Sequence, residues 1–133
     1  MTSLSILVAD DEAHIRLLVQ HWLEGAGHRV TCAADGKEAT ALLADAHYDL
    51  AVTDILMPER DGIDFIAELK RIQPAARILA ISGGGRIIAS EDCLKIAQGL
   101  GAHAAVVKPF DRAHFMAGVA LALAPARPPG LWA

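Results

Sequence analysis

Four short apolar runs in this chain each end on a polar residue, and that pattern narrows the folds open to it. Ile6-Leu7-Val8-Ala9 leads into Asp10-Asp11, and Leu50-Ala51-Val52-Thr53 into Asp54. Ile78-Leu79-Ala80-Ile81 leads into Ser82, and Ala104-Ala105-Val106-Val107 into Lys108. Unbroken apolar runs of this length suit strands buried on both faces, as in parallel sheets. If the strands lie parallel, their carboxyl ends share one edge, where open α/β sheets bind ligands. Three carboxylates, a hydroxyl and an ammonium would then meet in one pocket.

Helical periodicity fills the intervals. Ile15, Leu18, Val19 and Trp22 recur at helical spacing, and Gly25 and Gly27 stop that helix. Arg29 to Ala33 is a weaker strand with a polar side, which places it at a sheet edge. Asp35 with Glu38 forms a capping box before the stripe Ala39, Leu42, Leu43 and Ala46. Pro58 and Gly62 mark the loop after the third strand. Asp61 caps a helix carrying Phe65, Ile66, Leu69 and Ile72, with Pro74 beyond its end. Ser90 caps a fourth helix closed by Gly99 or Gly101, and Asp111 caps a last one carrying Met116, Val119, Ala120 and Leu123. Five βα units imply a parallel sheet with right-handed crossovers in a three-layer sandwich. A β/α barrel needs about eight units and roughly 250 residues, more than the 133 present.

Composition excludes several classes. The length suits one domain, here residues 1–124, and Pro125 to Ala133 reads as a Pro-rich tail or linker stump. A net charge of -4 gives no basic footprint for direct contact with nucleic acid. No apolar run approaches the roughly 20 residues that span a bilayer, so no membrane contact is expected. The first residues lack the basic region of a signal peptide. Cys32 and Cys93 have no metal-ligand spacing and read as buried free thiols, which points to the cytoplasm. The six histidines show no ligand pairing and read as surface or helix-face residues, while Trp22 reads as core.

The chemistry of the converging residues is that of phosphoryl transfer. A carboxylate at a strand end, such as Asp54, has limited solvation and can attack phosphorus. Asp10, Asp11 and Asp54 supply hard oxygen donors of the kind Mg2+ prefers, with Mn2+ the alternative. Asp11 and Asp54 are expected as direct ligands, Asp10 through water, and the main-chain carbonyl of Leu56 as one more. Lys108 supplies a positive donor, and Ser82 a hydroxyl for a phosphoryl oxygen.

At these residues the chain resembles the receiver domains of two-component response regulators, of the chemotaxis-regulator type. The resemblance is carried by Val8-Ala9-Asp10-Asp11-Glu12, by Thr53-Asp54-Ile55-Leu56-Met57-Pro58 with Gly62, by Ile81-Ser82-Gly83, and by Gly101-Ala102 with Lys108-Pro109-Phe110. It covers about residues 4–124. It implies a flavodoxin-like doubly wound (βα)5 sheet in the order 2-1-3-4-5. It implies that Asp54 accepts a phosphoryl group from a sensor histidine kinase or histidine phosphotransfer protein, with Mg2+ at Asp10, Asp11 and Asp54. Ser82 becomes the switch hydroxyl and Lys108 the phosphate-binding lysine, followed by a cis bond to Pro109. The output implied is contact with a downstream protein effector, not turnover of a substrate. The face of the fourth and fifth helices is the family's usual dimer interface. A phosphohydrolase would need a second general acid–base near Asp54 and a specificity cap, and neither is visible.

The chain also departs from the family. Receivers usually carry Tyr or Phe three residues before the lysine, a ring that turns inward as the hydroxyl moves. Here that position is Ala105, so a degenerate receiver acting as a constitutive binding module is the second reading. The segment from Ser82 to Lys108 is longer than usual by a few residues and contains Gly83-Gly84-Gly85-Arg86-Ile87-Ile88; that glycine-rich loop and the fourth helix are expected to rearrange on phosphorylation in place of the ring. Leu56 is apolar and cannot orient an attacking water, so the phosphoryl group is expected to be long-lived.

Overall fold

A computed structural model describes residues 3–55, 57, 62–83, 95 and 98–125. Its strands are β1 (Ser5–Ala9), β2 (Arg29–Ala33), β3 (Leu50–Asp54), β4 (Arg77–Ser82) and β5 (Ala104–Val107). Its helices are α1 (Ala13–Gly25), α2 (Gly36–Leu42), α3 (Gly62–Ile72) and a final helix, Arg112–Leu123. All strand pairings are parallel, in the order β2-β1-β3-β4-β5. This is the doubly wound sheet expected, with the polar-sided β2 at an edge and β3 at the centre.

The alternation of side chains along each strand builds two cores. Leu7, Ala51 and Ile78 face α2 and α3, where they meet Ala39, Leu43, Phe65, Ile66 and Leu69. Ile6, Val8, Val52 and Leu79 face the other way, toward Val19 and Leu23 of α1 and Phe115, Val119 and Ala122 of the final helix. Each fully buried Leu, Ile or Phe contributes roughly 1.5–3 kcal/mol relative to exposure. The apolar runs are therefore continuous because both faces of the sheet are covered.

Local punctuation follows the sequence in most places. Asp35 accepts a hydrogen bond from the Glu38 N–H at 2.8 Å, and Glu38 reaches back to the Ala34 N–H at 2.7 Å. Asp111 caps the final helix through the His114 N–H. Gly27 and Gly101 both have positive φ, 95° and 93°, which glycine adopts without steric cost. The caps at Asp61 and Ser90, most of the fourth helix, Cys93, and the tail from 126 onward lie outside the described residues.

Four positions of the expected stripes differ. Leu18 is 39% exposed, and the buried line of α1 runs through Val19 and Leu23 instead. Ala46 is exposed beyond the end of α2, because the Gln73 side chain donates to the carbonyls of Leu43 and Ala46 and takes over where the helix would continue. Ile72 ends α3 at 41% exposure. Ala120 is exposed, since the final helix seats Gly118 against Val106 and Leu79 and so turns Phe115, Val119 and Ala122 inward. Trp22 is half-buried rather than core, packed 5.7 Å from Phe115 and 6.2 Å from Phe110 between ring centroids. Cys32 is a free thiol but only half-buried. No described helix is long and apolar enough to cross a membrane.

Candidate functional site

The parallel register brings the strand ends to one edge. Ala9 pairs with Thr53, Asp54 with Ile81, and Ser82 with Val107, so Asp10, Asp54, Ser82 and Lys108 line up across the sheet. The pairing runs on past the strands. The Ile55 N–H donates to the Ile81 carbonyl at 2.9 Å, and the Lys108 N–H to the Ser82 carbonyl at 2.9 Å. The Lys108–Pro109 bond is cis, as the resemblance implies.

Lys108 is the hub. Its Nζ lies 3.0 Å from Asp54 Oδ2, 3.0 Å from Asp10 Oδ2 and 2.5 Å from Glu12 Oε1. Asp10 is fully buried and Asp54 4% exposed. Two carboxylates this deep in the protein need a cation, because an unpaired buried charge costs several kcal/mol. Burial pulls the Lys108 ammonium down, but hydrogen bonds to Glu12, Asp10 and Asp54 override it and hold its pKa above the ordinary lysine value. The hydrogen bond from Lys108 holds Glu12 below the usual carboxylate range.

Asp10 is fixed from several sides. Its N–H donates to the Ala33 carbonyl, its carbonyl accepts from Arg16, and its Oδ1 accepts from the Glu12 N–H at 2.9 Å. Oδ2 is buried without an aligned hydrogen-bond donor, although Lys108 sits at ion-pair distance. That orphaned oxygen suits a hard cation. Asp10, Glu12 and Asp54 each offer a carboxylate oxygen within 4.8 Å of one another, an all-oxygen set of the kind Mg2+ or Mn2+ takes. Asp11 is exposed and lies outside that cluster.

Of the other site residues, Ser82 is 5% exposed at the end of β4, and Gly83 is exposed just after it. Leu56 and Gly84 lie outside the described residues. Gly62 packs against the end of β3, its N–H on the Ile55 carbonyl at 2.9 Å. Ala105 is half-buried and lines an open groove of about 360 Å³ with Pro109, Phe110, Gly118 and Leu121.

The sequence reading missed two things. Glu12 joins the site although it lies past the strand end, and its place directly after the acidic pair is the only sequence signal for it. Two histidines are also not surface groups. His28 Nδ1 accepts from the Leu4 N–H at 3.1 Å, and His103 Nδ1 from the Ile78 N–H at 3.0 Å. His103 thus points away from the site, and burial, then Arg77 and Lys70, push its pKa down to about 4.

Comparison with known proteins assigns this arrangement. The sequence model of the response regulator receiver domain matches residues 6–120. The chain belongs to the response regulator receiver family. It is 34% identical over 107 residues to the chemotaxis protein CheY of Thermotoga maritima, covering 80% of this chain and 86% of that one. It is 34% identical over 129 residues to the DNA-binding transcriptional regulator NtrC of Azospirillum brasilense, covering 97% of this chain but 26% of that protein. This receiver therefore spans about a quarter of that relative's length. Among solved structures, CheY4 of Vibrio cholerae superimposes with a TM-score of 0.79 at 29% identity, over 89% of this chain and 97% of that one.

Proposed function

We propose that Asp54 of this receiver accepts a phosphoryl group from a phosphohistidine of a sensor kinase or phosphotransfer protein, and that the modification alters contact with a downstream protein. The observation that carries the reading is the buried Asp54 carboxylate held 3.0 Å from Lys108 at the carboxyl edge of the sheet. Buried against a fixed ammonium, this oxygen is positioned as a nucleophile with little water to displace. Its attack forms the P–O bond as the P–N bond breaks, and the imidazole leaves with the bonding pair. Lys108 then holds the charge on the new acyl phosphate, and the Ser82 hydroxyl can donate to a phosphoryl oxygen. Asp10, Asp11 and Asp54 would hold the divalent cation. When bound, that cation offsets the charge on the transferring group. The reaction modifies the receiver itself and turns over no external substrate. The reading carries a cytoplasmic location with it.

Intact mass after incubation with Mg2+ and a small-molecule phosphodonor tests this. A single Mg2+-dependent phosphoryl adduct is expected, absent in Asp54→Asn. No adduct with the cation bound would overturn it.

Ala105 favours a second reading, a receiver that binds its partner constitutively. The groove beside it is open and carries no ring from that position. Equal partner affinity with and without the adduct would select this reading.

A further inference from the structure

Lys108 has three N–H donors, and three carboxylates take them: Asp10, Asp54 and Glu12. An incoming phosphoryl group must be met by this ammonium before the P–O bond forms, while Asp54 is still a charged carboxylate, so one of the three contacts has to be given up. The three are not equal. The Asp10 side chain is 0% exposed and that of Asp54 6%, whereas that of Glu12 is 44% exposed. Releasing either buried carboxylate strands a charge away from water, while releasing Glu12 returns one to solvent. We infer that Glu12 is a positioning residue, an exchangeable tether that holds Lys108 in the unmodified protein and yields its donor to the incoming phosphoryl group. The inference rests on the phosphoryl-acceptor reading of the same site. The backbone supports it. The Glu12 N–H is fixed by Asp10 Oδ1 at 2.9 Å, and Glu12 precedes α1 as its N-cap residue without a side-chain cap bond. Its other carboxylate oxygen, Oε2, lies 3.6 Å from Nε2 of the exposed His14 ring in α1, a looser contact than the one to Lys108. The Glu12 contact with Lys108 is the shortest of the three, 2.5 Å.

The consequence runs opposite to that of ordinary damage. Removing the carboxylate leaves Lys108 its two buried partners, frees one donor and removes one negative charge facing an anionic donor molecule. Glu12→Ala is therefore expected to accept phosphoryl from a small phosphodonor roughly two- to tenfold faster than wild type at saturating Mg2+, with Glu12→Gln in between, since an amide still accepts a hydrogen bond. A second readout needs no phosphoryl chemistry. The rate of acetylation of Lys108 by acetic anhydride, read by peptide mass, should rise in the same order. Faster labelling together with faster phosphorylation supports the tether. An unchanged or slower rate in either measurement overturns it, because a merely structural loss would not speed both. If neither wild type nor variants take up phosphoryl, the acceptor reading fails, and labelling of Lys108 alone then decides whether Glu12 holds the lysine.

Discussion

Gly62→Ala tests how the fold sets the site. Gly62 is the first residue of α3 and is buried against the end of β3. A Cβ built there would lie 1.9 Å from the Asp54 carbonyl oxygen and 2.8 Å from Ile55 Cα. Both neighbours are backbone, so no side chain can rotate away. To reach even 3.0 Å, the contact must open by about 1.1 Å, which moves the strand that carries Asp54. Overpacking of this kind costs typically 1–3 kcal/mol, and with rigid backbone on one side the upper end applies. Alanine recovers at most about 1 kcal/mol through helix propensity. The net loss is about 2 kcal/mol, a fall in Tm of roughly 5–10 °C for a domain of this size. The chemical effect is larger, because misplacing a reacting group by about 1 Å can cost on the order of 100-fold in rate. Thermal melts and the initial rate of adduct formation measure both. Gly25→Ala is the control: nothing lies within 4 Å of its added Cβ, and the change should gain up to about 1 kcal/mol. A Gly62→Ala protein that melts within about 2 °C of wild type and takes up phosphoryl at the wild-type rate would refute the reasoning.

Other outcomes follow from the same geometry. Lys108→Ala removes the ammonium that faces the buried Asp10 and Asp54 carboxylates and should destabilise the protein by roughly 2–4 kcal/mol near neutral pH, with much of the loss restored by millimolar Mg2+; a melt insensitive to Mg2+ would contradict this. His103 has a folded pKa of about 4 against 6.5 for the free ring, so the unfolded chain binds its proton more readily. Its contribution is whole above pH 6.5 and is lost as pH falls toward 4, on the order of 1–2 kcal/mol for a half-buried ring. His103→Asn keeps an acceptor without titrating there and should flatten that part of the denaturation profile. Gln73→Ala removes the hydrogen bonds to Leu43, Ala46 and Tyr48 and should cost roughly 1–3 kcal/mol in chemical denaturation, with no change in cation affinity.

The strand ends were legible because parallel pairing converts sequence position into place. Once each apolar run is read as a strand, the residue after it must stand at the carboxyl edge, and Asp10, Asp54, Ser82 and Lys108 all do. The edge position of β2 was legible for a similar reason, since its alternating polarity suits one covered face. What did not show was reach. Glu12 stands at the entrance to a helix, and nothing in its spacing says that its side chain returns to Lys108 across 96 residues of sequence. Ala120 and Leu18 satisfied helical spacing, yet the rotation of each helix is set by its closest contact, and at the final helix that contact is Gly118 on Val106. Spacing alone cannot supply that rotation.

The two edges of the sheet do different work. At the carboxyl edge, charged side chains face one another and are held by a single ammonium. At the amino edge, side chains are spent on backbone groups. Asp49 accepts from the Ser5 N–H at 2.9 Å, His28 from Leu4, and His103 from Ile78, while Arg77 donates to the carbonyls of Ala122 and Ala124 beyond the final helix. Each of these bonds satisfies a group where a strand begins or the final helix ends, and such groups are costly to leave unpaired. The amino edge therefore fixes the frame, and the carboxyl edge is left free to exchange partners. A tether such as Glu12 can let go of Lys108 without loosening any strand, because no ladder hydrogen bond depends on it.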